Sequence, residues 1–183
     1  MAIKTSLIAL SLFSHMSWAS LTPDALRHAA ETGGADQAWV TLKQPDAWQS
    51  LLSGVARGEP AWLTTLPLFA AKAGQKQRHA LLGSLALSLT TNPAATLDIL
   101  PDIGKTIDKS EINLYDWQYL CGGIMDGEFT KASVVRYYDS ATEALRKIGD
   151  KGKACMTLMY EGRDELKEEE FRGKVTWGTK TWP

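Results

Sequence analysis

The sequence lacks the short motifs that identify common catalytic and metal-binding sites. It contains no GxSxG nucleophile elbow, no glycine pattern for phosphates or dinucleotides, no EF-hand loop, and no HExxH or CxxC zinc pattern. Histidine is scarce as well, with three residues in the whole chain. The sequence therefore predicts no catalytic residue, no metal ligand and no cofactor.

The chain also lacks an excess of charge and a long apolar run. Its 20 basic and 21 acidic residues give a formal net charge of −1, and no Lys/Arg cluster suggests a nucleic-acid partner. The longest internal apolar stretch, 80–89, is interrupted by Gly83, Ser84 and Ser88. Since a membrane-spanning helix needs about 20 apolar residues, no span is predicted after the N-terminal segment.

The N-terminus has the three parts of a secretory signal peptide. Lys4 is the single charge among the first 23 residues, and an apolar core follows at 6–13. The segment Ser17-Trp18-Ala19 then places small residues at both positions that a signal peptidase reads. We expect cleavage after Ala19 and a periplasmic location, because the apolar core is too short for a membrane anchor.

Cysteine is limited to Cys121 and Cys155, both beyond the predicted cleavage point. In an oxidising compartment an isolated pair favours a disulfide. A thiol nucleophile would need a basic partner, and only His28 and His79 remain after cleavage. Zinc would need four ligands at close spacing. The compartment favours the disulfide over both alternatives.

Helix signals dominate the first half of the chain after the signal peptide. The most apolar segment, 75–91, has Leu85 near its middle and is expected to be the central helix. The helix beginning at Pro60 contains Pro67, which predicts a kink. The predicted starts are Thr22-Pro23-Asp24, Gln44-Pro45-Asp46, Pro60 and Asn92-Pro93, and the predicted ends are Gly33-Gly34, Gly58 and Pro101.

Two further helical stripes follow a looser stretch at 102–113. The first runs from Val134 to Ile148, although a capping box at 140–143 offers an alternative start near Ser140. The second runs from Cys155 to Leu166. Two-residue alternation is found only at 175–177. These patterns predict an all-α protein: one compact antiparallel bundle over 20–170, with HEAT-like helix pairs, followed by a short extended tail over 171–183.

Two sequence blocks and the cysteine pair carry a resemblance. The blocks are Glu59-Pro60-Ala61-Trp62-Leu63-Thr64-Thr65-Leu66-Pro67 and Leu85-Ala86-Leu87-Ser88-Leu89-Thr90-Thr91-Asn92-Pro93-Ala94-Ala95, completed by Cys121 and Cys155. Together they resemble a loose group of small exported proteobacterial proteins with a HEAT-like centre. The resemblance implies a helical fold and an exported location, and it assigns no functional residue to this chain. The acidic helix around 164–170 and the tail that holds Trp177 and Trp182 depart from that group.

Few residues suggest acid–base chemistry. His28 is expected to face solvent, and His79, at the start of the central helix, is expected to be partly buried or to cap it. Asp126 and Glu128 flank Gly127 and would suit a general acid–base pair. An Asp-Gly pair is also a common turn signal, and we favour the turn.

Aromatic residues are the distinctive feature of the chain. Six of seven tryptophans follow the predicted cleavage point, and Tyr115 and Trp117 lie just before Cys121. Tryptophan and tyrosine are enriched at interface centres. Tyr115 and Trp117 are therefore candidates for partner binding, although core packing is the simpler explanation for Trp117. Trp177 and Trp182 lie in a Gly/Lys/Thr-rich tail, where they either bind a partner or fold back onto the domain.

Two classes of function remain. The first is an exported module that binds a protein partner, most concretely an immunity or inhibitor-type protein against a secreted effector that attacks the envelope. The alternative is an envelope enzyme or accessory factor whose acid–base site uses residues 126–128 or His79. The absence of a nucleophile–base pattern favours the first. No pattern predicts the oligomeric state.

Overall fold

A computed structural model describes residues 21–107, 117–122 and 127–181. The predicted signal peptide and Trp182 lie outside these residues. The described part contains eight α-helices: α1 (Pro23–Leu42), α2 (Ala47–Ala56), α3 (Pro60–Leu63), α4 (Gln75–Thr91), α5 (Pro93–Thr106), α6 (Trp117–Gly122), α7 (Lys131–Lys147) and α8 (Asp150–Phe171). Two 3₁₀ turns, Leu66–Leu68 and Ala70–Lys72, lie between α3 and α4. The chain is an all-α bundle.

The fourth helix is the centre of the bundle, as predicted. It packs against α2, α5, α6 and α7. Leu81, Leu82, Leu85 and Leu89 are all at most 1% exposed, which explains why its apolar residues occupy more than one face. Hydrophobic side chains from every other α-helix join the same core cluster.

Two predicted helix starts are confirmed by their caps. The Thr22 hydroxyl accepts a hydrogen bond from the Ala25 amide at 3.2 Å, and Asn92 Oδ1 accepts from the Ala95 amide at 3.3 Å. Thr130 caps α7 through the Ser133 amide at 3.3 Å. The alternative start of α7 near Ser140 is therefore wrong, because Thr130 satisfies the first turn.

The first helix is interrupted at Gly33-Gly34, where the sequence predicted its end. The backbone leaves helical geometry there, with Gly34 at a φ of 67°, but α1 resumes and continues to Leu42. Ala38 and Leu42, one turn apart, are both buried in the core. Burial of this second segment explains why the glycines produce a kink rather than an end.

Two further differences between the predicted and the observed helices involve prolines. The helix expected from Pro60 through Phe69 is broken into α3 and the two 3₁₀ turns, because Pro67 cannot donate a backbone hydrogen bond. Pro101 was predicted to stop α5, yet the helix continues through it to Thr106. Ile103, which is fully buried, anchors this extra turn. Of the looser stretch expected at 102–113, residues 102–106 are therefore helical.

The C-terminal tail lies along the segment that precedes α7. Gly178 donates from its amide to the Phe129 carbonyl at 2.9 Å, and Lys180 donates to the Glu128 carbonyl at 3.0 Å. Thr130 donates in turn to the Lys180 carbonyl at 2.9 Å. In the described residues this pairing amounts to one parallel bridge, Phe129 with Lys180, and no strand forms. The tail is extended, as predicted, and folds back onto the helices.

Candidate functional site

A disulfide joins Cys121 in α6 to Cys155 in α8, as predicted. The two Cα atoms are 5.1 Å apart, and both residues are buried. Further along α8 the helices are also in close contact at Gly162, where an added Cβ would lie 2.3 Å from the Gly122 carbonyl oxygen. The short helix α6 is therefore fixed to α8 by a covalent bond and by a close backbone contact.

This fixed helix displays an aromatic side chain. Tyr119 lies two residues before Cys121 and is 46% exposed. The sequence predicted partner binding for its neighbours: Tyr115 lies outside the described residues, and Trp117 is the first residue of α6. The reasoning from sequence missed Tyr119, although it belongs to the same aromatic run.

Trp177 of the tail is half-buried and packs against the hydrophobic core. Its indole Nε1 donates a hydrogen bond to Glu170 Oε1 at 3.1 Å. This is the arrangement expected if the tail folds back, and the core covers much of the ring. A role of Trp177 in partner binding stays a prediction, as it does for Trp182.

The structure brings together two residues of the proposed acid–base site. His79, which was expected to be partly buried or to cap α4, is exposed on that helix, and its Nε2 lies 3.8 Å from Glu128 Oε1. The other carboxylate oxygen of Glu128 accepts a hydrogen bond from Lys180 Nζ at 2.6 Å. That bond and the charge of Lys180 hold the pKa of Glu128 below its ordinary value. Asp126 lies outside the described residues, and His28 faces solvent, as predicted.

The cluster of His79, Glu128 and Lys180 is poorly suited to acid–base catalysis. Because Glu128 remains ionised at neutral pH, it is a poor general acid. Both it and His79 are more than half exposed, so water screens their interaction. No group of three or more His, Cys, Asp or Glu side chains in the described ranges could hold a metal ion.

Exposed hydrophobic side chains mark the remaining candidate surfaces. On the described part of the chain they are Tyr119, Val40 of α1 at 54%, Val135 of α7 at 39%, Tyr160 of α8 at 41% and Phe171 of α8 at 93% exposure. Three of these five lie on the α7–α8 pair. None of the helices among the described residues is both long and apolar enough to cross a membrane.

Comparisons with known proteins give no family assignment. No family model, curated protein or solved structure matches this chain.

Proposed function

We propose that this chain is an exported protein-binding module, most concretely an immunity or inhibitor-type protein that neutralises a secreted effector acting on the cell envelope. The signal-peptide pattern of residues 1–19 supports a periplasmic location. The buried Cys121–Cys155 disulfide supports it too, because such bonds persist in oxidising compartments.

The observation that carries the proposal is the exposure of Tyr119 on a covalently fixed helix. Tyrosine supplies a large contact area at a low cost in conformational entropy, and it is common among residues that dominate binding energy. Since the disulfide holds α6 against α8, Tyr119 is already in place before a partner arrives. A pre-organised surface loses less entropy on binding.

The second candidate function is the acid–base site of an envelope enzyme. The approach of His79 to Glu128 favours it, because the two residues are 49 positions apart in sequence and meet through the fold. The ion pair of Glu128 with Lys180 weighs against it, since this pair gives the carboxylate a structural role in holding the tail.

A site-specific crosslinking experiment tests the proposal. A photo-reactive phenylalanine analogue replaces Tyr119 in one variant and Val40 in a matched control, since Val40 is similarly exposed on the opposite half of the sequence. Irradiation of exporting cells should join position 119 to one defined protein and leave position 40 without an adduct. Equal labelling at both positions, or none at 119, would contradict the proposal.

A protection assay tests the immunity role. Effector genes adjacent to the gene for this chain are expressed with export signals in an indicator strain, with and without the chain. The chain should restore growth against one effector, and Tyr119→Ser should lose that protection. His79→Ala and Glu128→Gln should keep it. Loss of protection only in the His79 and Glu128 variants would instead favour the enzyme.

A further inference from the structure

The outward surface of α8 carries a stripe of four side chains: Tyr160, Asp164, Lys167 and Phe171. At 100° of rotation per residue they lie within a sector of about 60°, and the stripe is about 16 Å long. Tyr160 is 41% exposed and Phe171 is 93% exposed. The side chains of Asp164 and Lys167 are 73% and 62% exposed. We name these four residues the α8 stripe.

The α8 stripe is self-complementary. Read from either end, an aromatic residue is followed by a charged residue, and the two charges are opposite. A second copy of α8, antiparallel and related by a two-fold axis between residues 165 and 166, would place Tyr160 opposite Phe171 and Asp164 opposite Lys167. Each of these contacts would then occur twice, as a symmetric dimer requires.

The same charges disfavour partner surfaces that carry a single sign of charge. A partner surface of uniform charge would meet one like charge in either orientation, because the α8 stripe contains one acid and one base. Like charges in contact oppose binding and select against such partners. Phe171, in turn, is an aromatic side chain that nothing in the described residues covers. A second copy fits both features at once.

We propose that two copies of this chain associate through the α8 stripe, antiparallel about a two-fold axis. This inference does not depend on the proposed function. A contact between two helices over three turns is smaller than a standard interface, so the dimer should be weak. We expect dissociation constants of about 10 µM to 1 mM.

Sedimentation equilibrium of the disulfide-bonded protein, from about 10 µM to about 1 mM, tests the proposal. The average mass should rise from that of a monomer towards that of a dimer. Phe171→Ser should raise the dissociation constant at least about tenfold, since each dimer buries two such rings. Val40→Ser, a matched change at an exposed hydrophobic residue on α1, should leave the association unchanged. A monomer mass at every concentration, or an unchanged dimer in Phe171→Ser, would overturn the proposal.

A charge exchange tests the register. Lys167→Asp should weaken the dimer, because two acids then face each other across the axis. The double variant Asp164→Lys with Lys167→Asp should restore it, since opposite charges again face each other. The within-helix pair of residues 164 and 167, now 2.8 Å apart, keeps its opposite charges in the double variant. Failure of the double variant to regain association, with its melting temperature at the wild-type value, would overturn the antiparallel register.

Discussion

Two of the four long helices, α4 and α8, differ in how far they are buried in the bundle. In α4, eight of 17 residues are buried, and most of these are aliphatic. In α8, three of 22 are buried, and one of those is the disulfide residue Cys155. Burial of apolar area dominates in α4, whereas α8 buries less, chiefly through Met159, and adds a covalent bond and polar contacts. Helix α4 lies at the centre of the core, whereas α8 leaves most of its surface exposed.

The charge distribution of α8 sharpens this difference. Three consecutive glutamates, 168–170, lie in its last turn, where the helix dipole disfavours negative charge. Arg172 and Lys174 lie within 3.5 Å of this run, and Lys131 of α7 contacts Glu170 at 2.7 Å. Trp177 adds a hydrogen bond to Glu170. The tail therefore compensates an unfavourable helix end that the core does not reach.

Shortening the central leucine of α4 should have the largest effect on stability. Leu85 is fully buried, so Leu85→Ala should lower the free energy of unfolding by about 2–5 kcal/mol. Urea denaturation monitored by circular dichroism measures it. A loss below about 0.5 kcal/mol, the scale of a surface substitution, would show that α4 is not the centre of the core.

Loss of the disulfide should have an effect of similar size. The bond closes a separation of 34 residues, for which the chain-entropy model gives about 3–4 kcal/mol. The double variant Cys121→Ser with Cys155→Ser should therefore melt at a lower temperature. Alkylation of the wild-type protein under denaturing, non-reducing conditions should label neither cysteine, and full labelling of both would contradict the bond.

Deletion of residues 174–183 should have a smaller effect, about 2 kcal/mol. It removes the three backbone hydrogen bonds to residues 128–130 and the cover that Trp177 gives to the core. Thermal melting of the shortened chain measures the loss. An unchanged melting temperature would show that the tail does not stabilise the fold, and would favour its use as a binding segment.

Phe171→Ser should have the smallest effect on the monomer, within about 0.5 kcal/mol. The ring is 93% exposed, so its removal costs the core nothing. Denaturation at low protein concentration, where any dimer has dissociated, is the measurement. A loss as large as that of Leu85→Ala would mean that Phe171 packs onto the bundle.

The contrast between the two helices also explains what could be predicted from the sequence. The leucines of α4 identify a buried helix, because only full burial accounts for apolar residues on more than one face. Cap residues such as Thr22 and Asn92 mark helix starts by local chemistry. The ends were harder to predict: Gly33-Gly34 interrupts α1 but a second helical segment follows it, and Pro101 does not stop α5. Burial of Leu42 and Ile103 supports the helix beyond each of these signals.

The surface was less predictable because it depends on contacts between distant residues. The docking of the tail joins Lys180 to Glu128, which are 52 positions apart. The approach of His79 to Glu128 likewise requires α4 and the segment before α7 to meet. Periodicity identified the helix that holds Cys155, but the exposure of Tyr119 depends on how the disulfide orients α6.

The most direct test of this account is hydrogen–deuterium exchange of the wild-type protein and of the double variant Cys121→Ser with Cys155→Ser. Because the disulfide also contributes to global stability, the amides of residues 81–89 should exchange in the variant only through global unfolding. Those of residues 119–122 should open locally, at least about tenfold more often than residues 81–89 in the same variant, a difference of about 1.4 kcal/mol in opening free energy. Equal opening free energies in the two helices of the variant, or no change in α6, would contradict the account.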